Sequence, residues 1–172
     1  DNGVFESVAA TPKAGYEFVN WVDNATGEEV TTNATLTLTK PSTGWKDAGY
    51  TANFREIEGV KIYFESENKT MGTVDKDSQR LNPEIGVATA VKATPNKGYK
   101  FVEWKLKDGA KTADTAEFTP TKAAGTKWID GTTYVAVFAP LDNVTINFES
   151  ENTTMGTVDT PSQSLNPETG VA

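Results

Sequence analysis

The chain of 172 residues has a net charge of −8, from 24 acidic and 16 basic side chains, and contains neither cysteine nor histidine. Disulfides and thiolate metal sites are therefore excluded, and the commonest catalytic base is missing. An acidic chain without a cluster of Lys or Arg disfavours nucleic-acid binding. No apolar run approaches the ~20 residues that a membrane-spanning helix needs.

The first third of the chain contains strand and turn signals. The aromatic run from Tyr16 to Trp21 is typical of a strand, because aromatic and β-branched side chains suit a half-buried pleated surface. Residues 24–27 (Asn-Ala-Thr-Gly) indicate a turn, and Leu36 and Leu38 between threonines predict a further short strand. Residues 50–54 (Tyr-Thr-Ala-Asn-Phe) predict the strand that closes this part.

The middle of the chain begins with the clearest strand. Val60, Ile62 and Phe64 alternate with Lys61, Tyr63 and Glu65, and this period of two predicts a strand with one buried face. Residues 71–75 predict a short strand, and a turn is expected over Leu81–Pro83. Alternating residues from Val87 to Ala93 predict another strand, which Pro95 ends.

The rest of the middle segment continues the all-β pattern. The run from Gly98 to Trp104 is apolar on both faces and predicts a central strand. One short helical turn could fit near Thr112 to Glu117, and Tyr134, Ala136 and Phe138 predict a closing strand. The expected fold class is all-β, with about six strands in each unit.

An internal repeat decides how the chain is organised. Residues 60–88 and 144–172 differ at only seven of 29 positions, at an offset of 144 − 60 = 84 residues. Residues 3–21 match residues 86–104 at an offset of 83, and residues 50–54 match 134–138 at 84. The sequence therefore predicts small tandem β repeats of about 84 residues that together form a rod.

The phase of the repeat admits two divisions. The preferred division places one complete repeat at 58–141, between the C-terminal part of a preceding repeat (1–57) and the N-terminal part of a following one (142–172). The segments at 55–59 and 139–143 read as linkers between strands, which favours this division. The alternative division gives two whole repeats, 1–85 and 86–172.

A family resemblance rests on three elements of the repeat. These are Gly72-Thr73-Val74, the run from Ala93 to Trp104, and the segment from Tyr134 to Phe138. Earlier copies of the second and third elements begin at Ala10 and Tyr50. In this order they resemble the internalin-B-type repeats, particularly their divergent branch. The resemblance implies a β-grasp-like or small β-sandwich module of bacterial surface proteins, and it carries over no catalytic residue set. The inserts at 39–49 and 119–133 are longer than in the shorter members of that family.

The inserts also contain the candidate binding residues. Trp21 and Trp104 lie inside repeated strands, so core packing is expected for them. Trp45 and Trp128 lie in the inserts beside Asp47 and Asp130, where an exposed indole could stack on a glycan or contact a neighbouring repeat. The alternative is that each insert Trp closes the open end of its own small core.

Metal and cofactor signals are weak. The acidic clusters at 65–68 and 149–152, with Asp75 and Asp159, could supply oxygen ligands for structural calcium between repeats. Neither an EF-hand loop nor a glycine-bracketed aspartate loop accompanies them, so solvated turns are the simpler interpretation. No other cofactor is expected.

The sequence therefore favours a structural role over catalysis. It lacks a nucleophile elbow, a phosphate loop and a dinucleotide fingerprint, and its acidic residues repeat with the unit instead of forming one cleft. The expected function is a secreted or cell-surface stalk or fibre segment of a bacterial adhesin, whose partners are neighbouring repeats of the same or identical chains. Head-to-tail assembly by strand pairing is part of this hypothesis. The alternative is a module that binds a host or matrix glycan or protein through Trp45 and Trp128.

Overall fold

A computed structural model describes residues 5–109 and 111–171, and within these residues all regular structure is β. This confirms the all-β prediction. The described residues form fifteen strands, most of them short. In chain order they are β1 (Val8–Ala9), β2 (Tyr16–Asp23), β3 (Glu29–Thr31), β4 (Thr35–Leu36), β5 (Tyr50–Glu56), β6 (Val60–Ser66), β7 (Gly72–Val74), β8 (Ser78–Leu81), β9 (Val91–Pro95), β10 (Tyr99–Leu106), β11 (Lys111–Ala113), β12 (Glu117–Phe118), β13 (Thr133–Pro140), β14 (Val144–Asn147) and β15 (Ser162–Leu165).

The strands are distributed over two compact units. The first comprises Asp1–Val60, Leu81–Val87 and Ala124–Trp128. The second comprises Lys61–Arg80, Ala88–Ala123 and Ile129–Ala172. Each unit therefore combines segments that lie far apart in the chain. The first unit takes in two short segments from the middle of the sequence.

In the first unit, a three-stranded antiparallel sheet has the order β3-β2-β5, and a separate pair joins β1 to β4. The buried apolar residues are Trp21, Leu36, Leu81 and Trp128. The Trp21 indole Nε1 donates a hydrogen bond to the Ala34 carbonyl at 3.1 Å, which satisfies the one polar atom of this core side chain. The expected core role of Trp21 is confirmed.

The second unit is built on a five-stranded mixed sheet with the order β11-β10-β13-β6-β8. β10 and β13 are antiparallel, whereas β13 and β6 are parallel, with Tyr134 opposite Phe64. A second sheet has the order β12-β9-β7. As predicted, β10 is an interior strand, with partners on both edges.

Aromatic rings fill the core of the second unit. Trp104 is fully buried and donates from Nε1 to the Ala116 carbonyl at 3.1 Å, which repeats the arrangement of Trp21. Phe64 stacks on Tyr134 with ring centroids 5.7 Å apart, and its edge meets Trp104 at 6.3 Å. The apolar face of β6 that the alternation predicted, with Ile62 and Phe64, is buried.

The short helical turn that the sequence allowed near Thr112 to Glu117 is absent from the described structure, in which β11 pairs with β10 and β12 pairs with β9. One local prediction is wrong. The strand expected to begin at Val87 starts only at Val91, because side chains occupy the backbone groups before it: Gln79 exchanges hydrogen bonds with the N–H and C=O of Thr89. Among the described residues, no helix is long and apolar enough to cross a membrane.

Candidate functional site: a clasp on two turn glycines

One long-range contact recurs in the described structure, at the glycine of the turn that precedes the long antiparallel strand. Gly15 precedes β2 and Gly98 precedes β10. Both are buried, with φ of 85° and 86°, a left-handed conformation that glycine adopts without a Cβ clash. The turn leaves the N–H and C=O of each glycine available to a distant segment of the chain.

The partner of Gly15 is the turn at residues 82–84 (Asn-Pro-Glu). The Gly15 N–H donates to Oε2 of Glu84 at 2.6 Å, and Nδ2 of Asn82 donates to the Gly15 carbonyl at 2.9 Å. The N–H of Ile57 donates to the same carbonyl at 3.0 Å. Every backbone hydrogen-bonding group of this buried glycine is therefore satisfied, one of them by a charged acceptor.

The same contact recurs at Gly98 with nearly identical dimensions. Its N–H donates to Oε2 of Glu168 at 2.6 Å, and its carbonyl accepts from Nδ2 of Asn166 at 2.9 Å and from the N–H of Leu141 at 2.9 Å. We call each set, a turn glycine held by an Asn-Pro-Glu turn, a clasp. Two copies that agree in partners and distances indicate that the clasp belongs to the repeat.

The asparagine of the Asn-Pro-Glu turn stabilises the turn through local hydrogen bonds. Oδ1 of Asn82 accepts hydrogen bonds from the N–H groups of Glu84 and Ile85 at 3.0 and 3.3 Å, and the N–H of Gly86 donates to the Asn82 carbonyl at 2.9 Å. Such local bonds are the reason why asparagine favours turns. Because Oδ1 is used within the turn, Nδ2 points outward to the glycine. Asn166 makes the equivalent bonds.

Two residues of the insert at 119–133 contact the Asn-Pro-Glu turn of the first clasp. The Trp128 N–H donates to the Pro83 carbonyl at 2.8 Å, and the indole Nε1 donates to the Gly86 carbonyl at 2.7 Å. Lys127 pairs with Oε1 of Glu84 at 2.8 Å, which leaves Oε2 for Gly15. The carboxylate of Glu84 therefore bridges the insert and the turn glycine. In the second clasp Pro167 is exposed, whereas Pro83 is buried.

The four predicted insert residues occupy different environments. Trp128 is buried, whereas Trp45 is 40% exposed and packs against Phe5, with ring centroids 6.0 Å apart. Oδ1 of Asp130 accepts from the Lys61 N–H at 2.7 Å, and Asp47 is exposed. Trp45, Asp47 and Trp128 belong to the first unit, and Asp130 belongs to the second.

In the first acidic cluster and at Asp75, the carboxylates are engaged in ion pairs and in a hydrogen bond to the backbone. Glu67 pairs with Lys105 at 2.6 Å, and Glu65 pairs with Lys107 at 3.2 Å. Asp75 accepts from the Lys92 N–H at 2.7 Å. Within the described ranges, no group of three His, Cys, Asp or Glu side chains could hold a metal ion.

Comparison with known families agrees with the repeat. The profile of the divergent InlB B-repeat domain matches residues 2–58 and 64–140, which together make up most of the chain. The chain belongs to the divergent InlB B-repeat family. This family provides structural repeat modules of bacterial surface proteins. Neither a curated protein nor a solved structure matched the chain.

Sequence reasoning missed the clasp residues of this InlB-type B-repeat. The run Leu-Asn-Pro-Glu stands unchanged at 81–84 and 165–168, and it was interpreted only as a turn. Its invariance between the two copies, in a stretch where other surface positions differ, was the available signal. The partner glycine lies 67 residues from Asn82 and 69 from Glu84. A contact at that separation cannot be inferred from local patterns.

Proposed function

We propose that this chain is a spacer segment of a bacterial cell-surface protein, a stalk without catalytic activity that sets the distance between other parts of the protein. The observation that supports the proposal most strongly is the clasp at Gly15 and Gly98. With repeat boundaries at 57/58 and 141/142, each clasp joins the turn of one repeat to the glycine of the repeat before it. A joint that is the same at every step gives a stalk whose length grows with repeat number.

The chemistry of the clasp suits a stiff joint. It uses both hydrogen-bonding groups of a buried backbone position, and one partner is a carboxylate. Hydrogen bonds to charged groups contribute about 1.5–3 kcal/mol each to stability. With the alternative boundaries at 85/86, the same clasp closes each repeat on itself, and the stiffness must then come from the strand pairing of β6 with β13.

Small-angle X-ray scattering of the full chain at concentrations where it is monomeric tests the proposal. A compact globule of this length has a radius of gyration of about 16 Å. A spacer predicts a larger value and a maximum dimension near the length of two repeats. A value close to that of a globule would contradict the proposal.

Assembly by strand pairing is the finer part of this proposal. Stalks of one chain, or of identical chains, extend head to tail when the last segment of one copy pairs with the first segment of the next. The edge of β5 supports it, because in the described structure β5 pairs only with β2 and ends its sheet.

A second candidate function is binding of a host or matrix glycan through Trp45. The exposed indole lies in an open groove with apolar walls, formed by Phe5, Leu38, Pro41 and Tyr50. Indole rings in such grooves stack on sugar faces. A glycan array with the wild type and the Trp45→Ala chain tests this, with Trp128→Ala as a comparison. Binding that is unchanged in Trp45→Ala would rule out the aromatic platform.

A further inference from the structure

The Asn-Pro-Glu turn of the first clasp is bonded at two points by Trp128 of the insert. The Trp128 N–H donates to the Pro83 carbonyl at 2.8 Å, and the indole Nε1 donates to the Gly86 carbonyl at 2.7 Å. Pro83 and Gly86 lie on either side of Glu84, which supplies the carboxylate of the clasp. Trp128 is buried, so one packed residue fixes both ends of the short segment that carries this carboxylate.

The neighbouring residue, Lys127, fixes the orientation of the Glu84 carboxylate. The terminal torsion of a glutamate side chain is broad, so the carboxylate alone can rotate. Nζ of Lys127 lies 2.8 Å from Oε1, and Oε2 accepts the Gly15 N–H at 2.6 Å. Because each oxygen has its own partner, the ion pair restricts this rotation and holds the carboxylate in the orientation that the clasp requires.

The exposure of the two partners indicates that this ion pair acts locally. The side chain of Lys127 is 66% exposed and that of Glu84 is 23% exposed. Ion pairs with a solvent-exposed partner contribute little to overall stability, because water solvates the charge in the unpaired state as well. The hydrogen bond from the Gly15 N–H, in contrast, depends on the angle at which the carboxylate meets it. The effect of Lys127 is therefore expected at the clasp and not in the unit as a whole.

The second clasp forms without these insert contacts. Gly98 bonds to Glu168 and Asn166 at the same distances as in the first clasp, 2.6 and 2.9 Å. The insert bonds described above go to the first turn, and Pro167 of the second turn is exposed. The geometry of a clasp therefore does not depend on the insert. What the insert contacts change is how often an existing clasp opens.

The two inserts share the tryptophan but differ in the residue before it. Residues 44–47 read Gly-Trp-Lys-Asp, and residues 127–130 read Lys-Trp-Ile-Asp. Both inserts therefore have the tryptophan, and only the second has the lysine that pairs with a clasp glutamate. The residue before the tryptophan is the variable part of this arrangement.

We infer that Trp128 and Lys127 are positioning residues for the first clasp, and that the residue before the insert tryptophan sets how often a clasp opens. Trp128 keeps the Asn-Pro-Glu turn in place, and Lys127 keeps the Glu84 carboxylate aligned with the Gly15 N–H. The inference rests on the proposed spacer function, in which a clasp that opens more often is a more flexible joint. A stalk of repeats with different insert residues then varies in stiffness along its length.

Amide hydrogen exchange of the full chain, resolved by residue with NMR, tests the inference. The exchange rate of the Gly15 amide reports opening of the first clasp, and the amides of β2 that pair with β5 report unfolding of the same unit. Lys127→Met keeps the aliphatic stem and removes the charge, so the Gly15 amide should exchange about two- to fivefold faster. The amides of β2 should keep their wild-type rates.

Two further substitutions in the insert test each contact separately. Trp128→Phe removes the indole N–H and leaves the Gly86 carbonyl without this donor, so the Gly15 amide should exchange about tenfold faster. Lys127→Arg keeps a positive charge next to Glu84 and should give the wild-type rate. Because Lys127 is exposed, its variants are expected to fold whatever the outcome at Trp128.

Two controls show whether the effect of the lysine passes through Glu84. Lys107→Met removes an ion pair with Glu65 at a lysine of similar exposure, 60%, in the second unit, and should leave the Gly15 rate unchanged. Glu84→Gln keeps an oxygen acceptor but removes the charge. Adding Lys127→Met to Glu84→Gln should have no further effect, because the interaction that it removes is already absent.

Three results would overturn the inference: a Gly15 amide that keeps its wild-type rate in both Lys127→Met and Trp128→Phe, β2 amides that accelerate by the same factor as Gly15, or an equal effect of Lys127→Met in the Glu84→Gln chain. Any of them leaves the spacer function standing, because X-ray scattering of the wild type measures the length of the segment separately. A globular scattering result, in turn, contradicts the spacer whatever the exchange rates are.

Discussion

Replacing either clasped glycine with alanine would add a methyl group, and this would have two effects. At Gly15 the alanine would have to adopt a left-handed backbone conformation, and its Cβ would lie 2.6 Å from Cδ1 of Ile85. At Gly98 the added Cβ would lie 2.8 Å from Cγ2 of Thr169. The first effect is shared by any glycine with positive φ, and the second is specific to the clasp. A comparison of glycines in the same unit therefore separates them.

We expect Gly15→Ala to lower the free energy of unfolding more than Gly44→Ala does. Gly44 has φ of 83° and no atom within 4 Å of where a Cβ would be, so its substitution costs only the backbone term of about 1–2 kcal/mol. Gly15→Ala should lose about 1–3 kcal/mol more, because it leaves buried polar groups without partners. Urea titration of both variants measures the difference, and equal losses would contradict the clasp.

Tyr134 gives the protein a sensitivity to alkaline pH. Burial raises the pKa of its phenol above the ordinary value of 10.0. The folded chain then keeps a proton that the unfolded chain releases from about pH 10 upward, so the free energy of unfolding falls as the pH rises through that range. Tyr134→Phe should show a shallower decline above about pH 10 than the wild type. Parallel declines in the two chains would contradict this assignment.

At the scale of elements, the β segments whose residues alternate strongly were predictable. The alternation at 60, 62 and 64 predicted β6 and its buried face, and the two-sided apolar run at 98–104 predicted an interior strand. These patterns are local, and the structure confirms them. The short polar run at 112–117 has no periodicity, so the sequence left a helical turn possible there, and pairing with β10 and β9 decides its structure.

The sequence could not predict which segments meet. The Asn-Pro-Glu turn was recognised as a turn, but its glycine partner lies in another region of the chain. Similarly, no local feature distinguishes the segments at 71–75 and 155–159, which are identical yet differ in structure. Contacts over such separations depend on topology, which a single sequence does not contain.

These identical segments provide a prediction for hydrogen exchange. In dilute solution, where the chain is monomeric, the amides of residues 72–74 should exchange slowly, because β7 is paired with β9. The amides of 156–158 should exchange rapidly. Equal protection of both segments at low concentration would show that the second one does not need a partner.

At the scale of the whole molecule, the proposed spacer function links the sequence repeat to a constant distance. The chain belongs to a family of surface repeats, and its candidate site, the clasp, occurs twice. A spacer requires that the joints be stiff, because a flexible linker does not set a distance. Stiffness is therefore the property on which the proposed function depends.

The distance distribution between two spin labels measures this stiffness most directly. The chain has no cysteine, so Ala25→Cys and Thr153→Cys, both at exposed turn positions, allow specific labelling. Double electron–electron resonance is then recorded with labelled chain diluted in excess unlabelled chain. The account predicts one narrow distance peak, which broadens when Gly15→Ala and Gly98→Ala are added. A broad distribution in the clasped chain, or a narrow one that both substitutions leave unchanged, would contradict it.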